Sequence, residues 1–170
     1  MKRHLSILNT ESASACGPCG GKCCKYLPGT THPDEWGDSP EEIRAAIIAA
    51  LSSGKWSVDC WDGAPRPGKS WEDDDALASA RYVRPRRKGA HVWDRAWPSE
   101  GKPCVLLTEA GCSLAHDDRP SECRGLKPHA DGAEHCEPSE EFTKRNNAIA
   151  WIPYQDAIED ALRLYNRGDD

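Results

Sequence analysis

Four thiols fall within nine residues near the start of this chain, in the run Cys16-Gly17-Pro18-Cys19-Gly20-Gly21-Lys22-Cys23-Cys24. Gly and Pro let a backbone fold tightly about a point, and Gly takes positive φ at little cost. Two thiolates separated by two residues suit a metal ion or an iron–sulfur cluster. A second set, Cys104, Cys112, Cys123 and Cys136, begins 80 residues after Cys24. Eight clustered cysteines divide naturally into two four-thiolate sites, with both halves of the chain contributing to each. Adjacent side chains diverge, so Cys23 and Cys24 are better suited to two neighbouring sites than to one tetrahedral ion. The wide downstream spacing is unlike a zinc ribbon. It fits ligands drawn from a hairpin, a helix start and a loop.

Composition decides between metal and disulfides. A chain of 170 residues holds one domain. This one has nine Cys, seven Trp, one Phe, one Met, 14 Gly and 13 Pro, so it is loop-rich and short of aliphatic core. Such a chain needs staples. Residues 1–15 carry Lys2 and Arg3 but no apolar run typical of a secretory signal, and no stretch approaches a membrane span. A cytoplasmic location is therefore expected, where thiols stay reduced and clustered thiols imply metal. The net charge of −6 argues against a nucleic-acid partner. The acidic run Glu72-Asp73-Asp74-Asp75 and the basic Arg84, Arg86, Arg87 and Lys88 read as solvated surface patches.

The expected organisation is a disordered lead-in over 1–15 and a cysteine-cluster domain over 16–170. Ser39-Pro40-Glu41-Glu42 predicts a capped helix with Ile43, Ile47 and Leu51 on its apolar face and Gly54 beyond its end. The stretch 55–100 is the least readable. It offers a short helix over 73–80, a strand at Tyr82-Val83-Arg84 that Pro85 would place at an edge, and indoles that cover loops and shield the metal sites. Cys60 lies outside both clusters; it reads as an inert thiol, with ligand or reactive cysteine as the alternatives. Residues 103–112 predict a β-hairpin, with Val105-Leu106-Leu107 as the first strand, Glu109-Ala110-Gly111 as the turn, Cys112-Ser113-Leu114 as the return, and Cys104 and Cys112 across it. Asp118 is placed to cap a short helix through Cys123. Pro138-Ser139-Glu140-Glu141 would open a helical region that Pro153 interrupts. Tyr154, Ala157, Ile158, Ala161, Leu162 and Tyr165 then mark an amphipathic helix. The fold class expected is α+β: small, loop-rich and metal-stabilised, with a β-hairpin and two main helical regions. Apo-protein is expected to be largely unfolded.

The Cys16–Cys24 run, followed by Gly111-Cys112-Ser113-Leu114, Arg119-Pro120 and Cys123-Arg124, resembles a family of zinc- or iron-chelating proteins named for a CxxCxxCC signature. The flagellin lysine methylase is similar in that signature. Cys104 and Cys136 also stand where that family tends to have cysteines. The spacing departs at one point, since Gly20-Gly21-Lys22 puts three residues where the signature has two. The resemblance implies metal chelation by Cys16, Cys19, Cys23, Cys24, Cys104, Cys112, Cys123 and Cys136. The candidate cofactors are zinc, iron or a 4Fe–4S cluster, in up to two sites. His116, His129 and His135 are weaker ligand candidates. Arg119 and Arg124 are placed to offset thiolate charge.

Three functions remain open from sequence. A closed set of thiolates points to a structural metal site that presents a surface to a protein partner. An iron–sulfur or iron-dependent enzyme or enzyme component in protein modification is the alternative, although no nucleophile–base pair or glycine-rich cofactor fingerprint stands out. A nucleic-acid adaptor using Arg84 to Lys88 and the Trp residues ranks third.

Overall fold

The computed structural model describes residues 21–26, 28–65, 67–69, 75–93, 101–126 and 140–167; the side chain of Cys23 is not among those described. The expected lead-in over 1–15 lies outside this set, as do Cys16, Cys19 and Cys136.

The architecture is α+β. Its centre is an antiparallel hairpin of β1 (Trp56–Ala64) and β2 (Asp75–Pro85), in the register Trp56↔Pro85, Val58↔Val83 and Asp59↔Tyr82. The register shifts after Asp62. Residues 75–80 are strand, not the helix expected over 73–80, because they continue the pairing that Tyr82-Val83-Arg84 begins. Pro85 closes β2 at its end. Both faces of the hairpin are covered. Paired side chains in an antiparallel sheet share a face, so Val58 and Val83 point one way while Asp59, Tyr82 and Arg84 point the other.

Helix α2 (Pro40–Ser52), which follows a short α1 (Lys22–Tyr26), forms as its residues dictate. Ser39 Oγ accepts from Glu42 N at 3.3 Å, and Gly54 takes φ +69° just past the end. Glu42 reaches back to Asp38 N at 2.9 Å, one residue beyond a capping box. Ile43, Ile47 and Leu51 are fully buried. They meet the amphipathic C-terminal helix, here α5 (Gln155–Arg167), which buries Ala157, Ile158 and Ala161. Between them in sequence, α3 (Ser121–Arg124) and α4 (Lys144–Trp151) are short, and α4 leans on both strands. Thr143 caps α4 by accepting from Asn146 N at 3.1 Å. Pro153 falls in a 3-10 turn, Ile152–Tyr154, that joins α4 to α5.

The edges of the hairpin are occupied. Gln155 exchanges two hydrogen bonds with the Arg81 backbone, at 2.8 and 2.9 Å. On β1, Val58 N donates to Val92 O at 2.7 Å. Covered edges remove the template for chain-to-chain pairing.

One main core results, made of Ile43, Ile47, Leu51, Val58, Tyr82, Val83, Ile158 and three indoles. Trp36 and Trp56 meet edge to face at 5.0 Å, and Trp151 is fully buried. These indoles fill the aliphatic deficit of the core; of those expected to shield the cysteines, Trp56 lies in this core and Trp61 packs against it, while Trp71 and Trp97 lie outside the described residues. The basic run also differs from expectation, since Arg84 and Arg87 are buried rather than solvated.

Candidate metal centre

A second, smaller apolar layer contains three of the cysteines, Cys24, Cys104 and Cys112. Cys104, Leu106 and Leu114 are buried in it, with Cys24, Val105, Leu107 and Cys112 packed against them. Gly21 turns the chain into α1 at φ +65°, and Cys24 O then accepts from Cys104 N at 2.7 Å. That bond ties the N-terminal motif directly to the downstream set.

Cys104 sits at a tight turn, not on a strand. Leu107 N donates to Cys104 O at 3.1 Å, and Leu106 N donates to Cys104 Sγ at 3.4 Å. The hairpin that follows is only two residues deep: β3 (Leu107–Thr108) and β4 (Gly111–Cys112). Leu107, not Cys104, faces Cys112. The expected longer strand fails because Cys104 to Leu106 are spent on the turn. Asp118 ends a 3-10 turn, His116–Asp118, and does not cap α3; Pro120 holds that position, which restricts the backbone without offering a side-chain acceptor.

Cys123 rides on α3. A Cβ built on Gly29 would lie 2.6 Å from Cys123 Sγ, so the backbone at Gly29 runs directly against the sulfur. Gly29→Ala should displace Cys123 and cost about 1–3 kcal/mol, as overpacking does. Urea denaturation measures the cost, and thiol titration with a chromogenic disulfide should show Cys123 reacting faster. An unchanged midpoint would mean the α3 segment moves aside freely.

The thiols act on one another. Burial pushes Cys104 up to about 11; the backbone amide of Leu106 pulls it down, and Cys112 pushes it further up. Burial pushes Cys123 well above the ordinary thiol range, and Cys24, Glu122 and Cys104 add to the rise. Burial is the larger cause of both rises, and the neighbouring thiols add to each. Cys104, Cys112 and Cys123 are free thiols. Among the described residues, no group of three or more His, Cys, Asp and Glu side chains is arranged to hold a metal ion. The structure thus brings Cys24, Cys104 and Cys112 into one layer, with Cys123 near enough to feel the charge of Cys24 and Cys104, and without closing the described thiols into a coordination sphere. His116 is exposed, 3.2 Å from Asp117. His129 and His135 lie outside the described residues.

Arg119 and Arg124, nominated to offset thiolate charge, have these partners among the described residues. Arg119 is buried and its Nε donates to Leu114 O at 3.3 Å. Arg124 donates to Arg119 O at 2.5 Å and pairs with Glu35 at 3.5 Å. Both brace the loop that carries Cys123. Arg84 is the arginine whose charge favours the Cys104 thiolate, and no motif in the sequence marks it for that role.

The cysteine layer is latched to the main core through Thr30 and Thr31. Glu122 Oε2 accepts from Thr30 N at 2.6 Å and from Thr30 Oγ1 at 2.8 Å. Asn147 donates to Thr30 Oγ1 at 2.9 Å and to Ser121 Oγ at 3.2 Å. Thr31 accepts from the Trp36 and Trp151 indoles and donates to Val83 O. Behind the latch lies a buried ion pair, in which Arg84 Nε donates to Asp59 Oδ2 at 2.8 Å. Tyr82 OH donates to the same oxygen at 3.1 Å. Burial, then Asp59, holds the Tyr82 phenol well above its ordinary value.

No family model matches the chain, and neither a curated protein nor a solved structure does.

Proposed function

We propose that the chain is a metal-binding cysteine-cluster protein whose sites are mainly structural and whose surface serves a protein partner. One observation carries the reading: Cys24, Cys104 and Cys112 share one small layer, and Cys123, from a fourth segment, lies close enough to Cys24 and Cys104 for their charges to act on it. The Leu106 amide on Cys104 Sγ is a donor that stabilises a thiolate. Cys24, Cys104, Cys112 and Cys123 would supply part of the ligand set, and Cys16, Cys19, Cys23 and Cys136 the rest. Zinc, iron or a 4Fe–4S cluster all accept such donors. Bound metal would supply folding energy and draw protons off the thiols. The likeness to a CxxCxxCC signature supports the same reading, and a reducing, cytoplasmic setting suits it. Tyr26, 55 % exposed on the cysteine-bearing helix, offers a contact for a partner. No helix among the described residues is long and apolar enough to cross a membrane. The adaptor reading weakens, because buried Arg84 and Arg87 present no face to phosphate.

The test is an absorption spectrum with metal and acid-labile sulfide analysis on protein purified without oxygen. Colourless protein with roughly two zinc per chain supports closed structural sites. Brown protein with iron and sulfide supports a cluster, and favours the enzyme-component alternative. Metal-free protein that stays folded and binds neither ion removes the proposal.

A further inference from the structure

Beyond β2 the chain runs back against the loop that carries Cys104. Lys88 N donates to Pro103 O at 2.8 Å and Val105 N to Arg86 O at 2.9 Å, and Arg87 stands opposite Cys104 in an antiparallel bridge. Alternation then gives this ribbon two faces. Arg87 and Cys104 are buried on the inner one. Arg86 and Lys88 take the outer one with Pro103 and Val105, and all four reach solvent. The outer face continues at both ends. Arg86 N donates to Lys55 O at 2.8 Å, which sets Lys55 beside Arg86. At the other end Lys102 is exposed. Its neighbour Gly101 lies against the Tyr26 ring, 3.9 Å from where a Cβ would stand, and Tyr26 is itself exposed.

Lys55, Arg86, Lys88 and Lys102 thus form one strip of cations in a chain of net charge −6. Elsewhere the chain neutralises its arginines internally: Arg44 and Arg163 meet Asp160, Arg81 meets Glu159, Arg84 meets Asp59, and Arg124 meets Glu35. Among the described residues, none of the four cations in the strip has a carboxylate within ion-pair distance. Arg86 Nε donates to nothing among them, so its guanidinium is not used by the fold. Like charges side by side repel, and a partner of opposite sign relieves that repulsion.

We propose that this outer face docks an acidic segment of a partner protein, a run of Asp and Glu lying along Lys55, Arg86, Lys88 and Lys102. The inference rests on the reading that the surface serves a protein partner, and it names what that partner carries. Arg86 offers a planar fork that matches a carboxylate. Pro103, Val105 and Tyr26 give the apolar side chains of a peptide something to cover. A phosphate backbone fits less well, because nucleic-acid binders neutralise many phosphates and this strip has few cations on an acidic chain. The partner would sit on the back of the ribbon whose inner face holds Cys104.

The experiment is fluorescence anisotropy on the full chain purified without oxygen, with fluorescein-labelled oligoglutamate as probe and labelled oligothymidylate of equal length beside it. Metal content and helical spectrum are measured on the same samples. Wild-type protein should bind oligoglutamate, and more weakly as salt rises. Lys88→Glu with Lys102→Glu should weaken that binding about tenfold or more. Both lysines are exposed, so the double variant should keep its helical spectrum. Arg163→Ala, which removes an exposed cation on α5, should leave the affinity unchanged. Folded wild-type protein that does not bind oligoglutamate would overturn the proposal, as would a double variant that binds it as tightly. Oligothymidylate bound as tightly as oligoglutamate would also overturn it, since the face would then serve nucleic acid. Folded, metal-free protein that binds oligoglutamate through these lysines would remove the metal reading and uphold this one.

Discussion

Replacing Asp59 with alanine is expected to lower the unfolding free energy by about 3–5 kcal/mol, the cost of stranding one member of a buried ion pair. A domain of this size has only about 5–15 kcal/mol in total, so much of the protein should be unfolded at 37 °C. Asp59 is 1 % exposed and Arg84 fully buried, and the carboxylate also receives the Tyr82 hydroxyl and the Cys60 amide. Removing it leaves three donors facing a void. Arg84 cannot escape by losing its proton, since guanidinium stays charged in proteins. Asp59→Leu with Arg84→Met should recover most of the loss, because an apolar pair of similar volume no longer carries a charge into the core. Urea denaturation of both singles and the double gives the coupling directly. A single-mutant loss below about 1 kcal/mol would mean that the Arg84 charge reaches water, as in a surface pair.

That same pair explains why half the fold was hard to read. Helix α2 and helix α5 were plain in the sequence, because each has a polar face to contrast with its apolar one. Strand β1 was missed. In Ser57-Val58-Asp59-Cys60-Trp61 the alternation that marks a strand should give polar residues to solvent, yet Ser57 and Asp59 are buried. A sheet covered on both sides loses the period-two signal. Asp59 is half of a pair whose other half, Arg84, reads in the sequence as part of a surface basic patch. Only the register Asp59↔Tyr82 brings the two together.

The site was readable in kind but not in detail. Spacing alone nominated the cysteines, and of the eight the structure packs Cys24, Cys104 and Cys112 into one small layer. The supporting residues carried no motif. Thr30, Thr31, Glu122 and Asn147 are ordinary residues whose roles exist only because hydrogen bonds link positions up to 120 apart in sequence. Gly29 was one Gly among 14, and only the sulfur against it marks it out.

Chelation should open the cysteine layer while leaving the main core standing, if the proposed metal is bound. The expectation from sequence was wider: that apo-protein would be largely unfolded. The distribution of apolar residues narrows it, because the core built on Ile43, Ile47, Leu51, Val83 and Ile158 includes, among the described residues, none of the eight candidate ligands. The small layer is different. It has three buried residues, Cys104, Leu106 and Leu114, too few to offset the ordering of the loops around them. A structural zinc contributes on the order of 10 kcal/mol of folding free energy, and that contribution falls on the layer it joins. In a strong chelator under reducing conditions, hydrogen exchange should accelerate by several orders of magnitude at Cys104, Leu107 and Ser113. Their amides bond to Cys24, Cys104 and Leu106 within the layer. Val58 and Thr31, bonded to Val92 and Val83 in the core, should keep their protection. The helical signal from α2 and α5 should persist. If both sets exchange together and the helical signal collapses, the Thr30–Glu122 latch makes the two layers one cooperative unit, and the metal holds the whole chain. If neither set changes, the cysteine layer stands by its own packing and holds no structural metal.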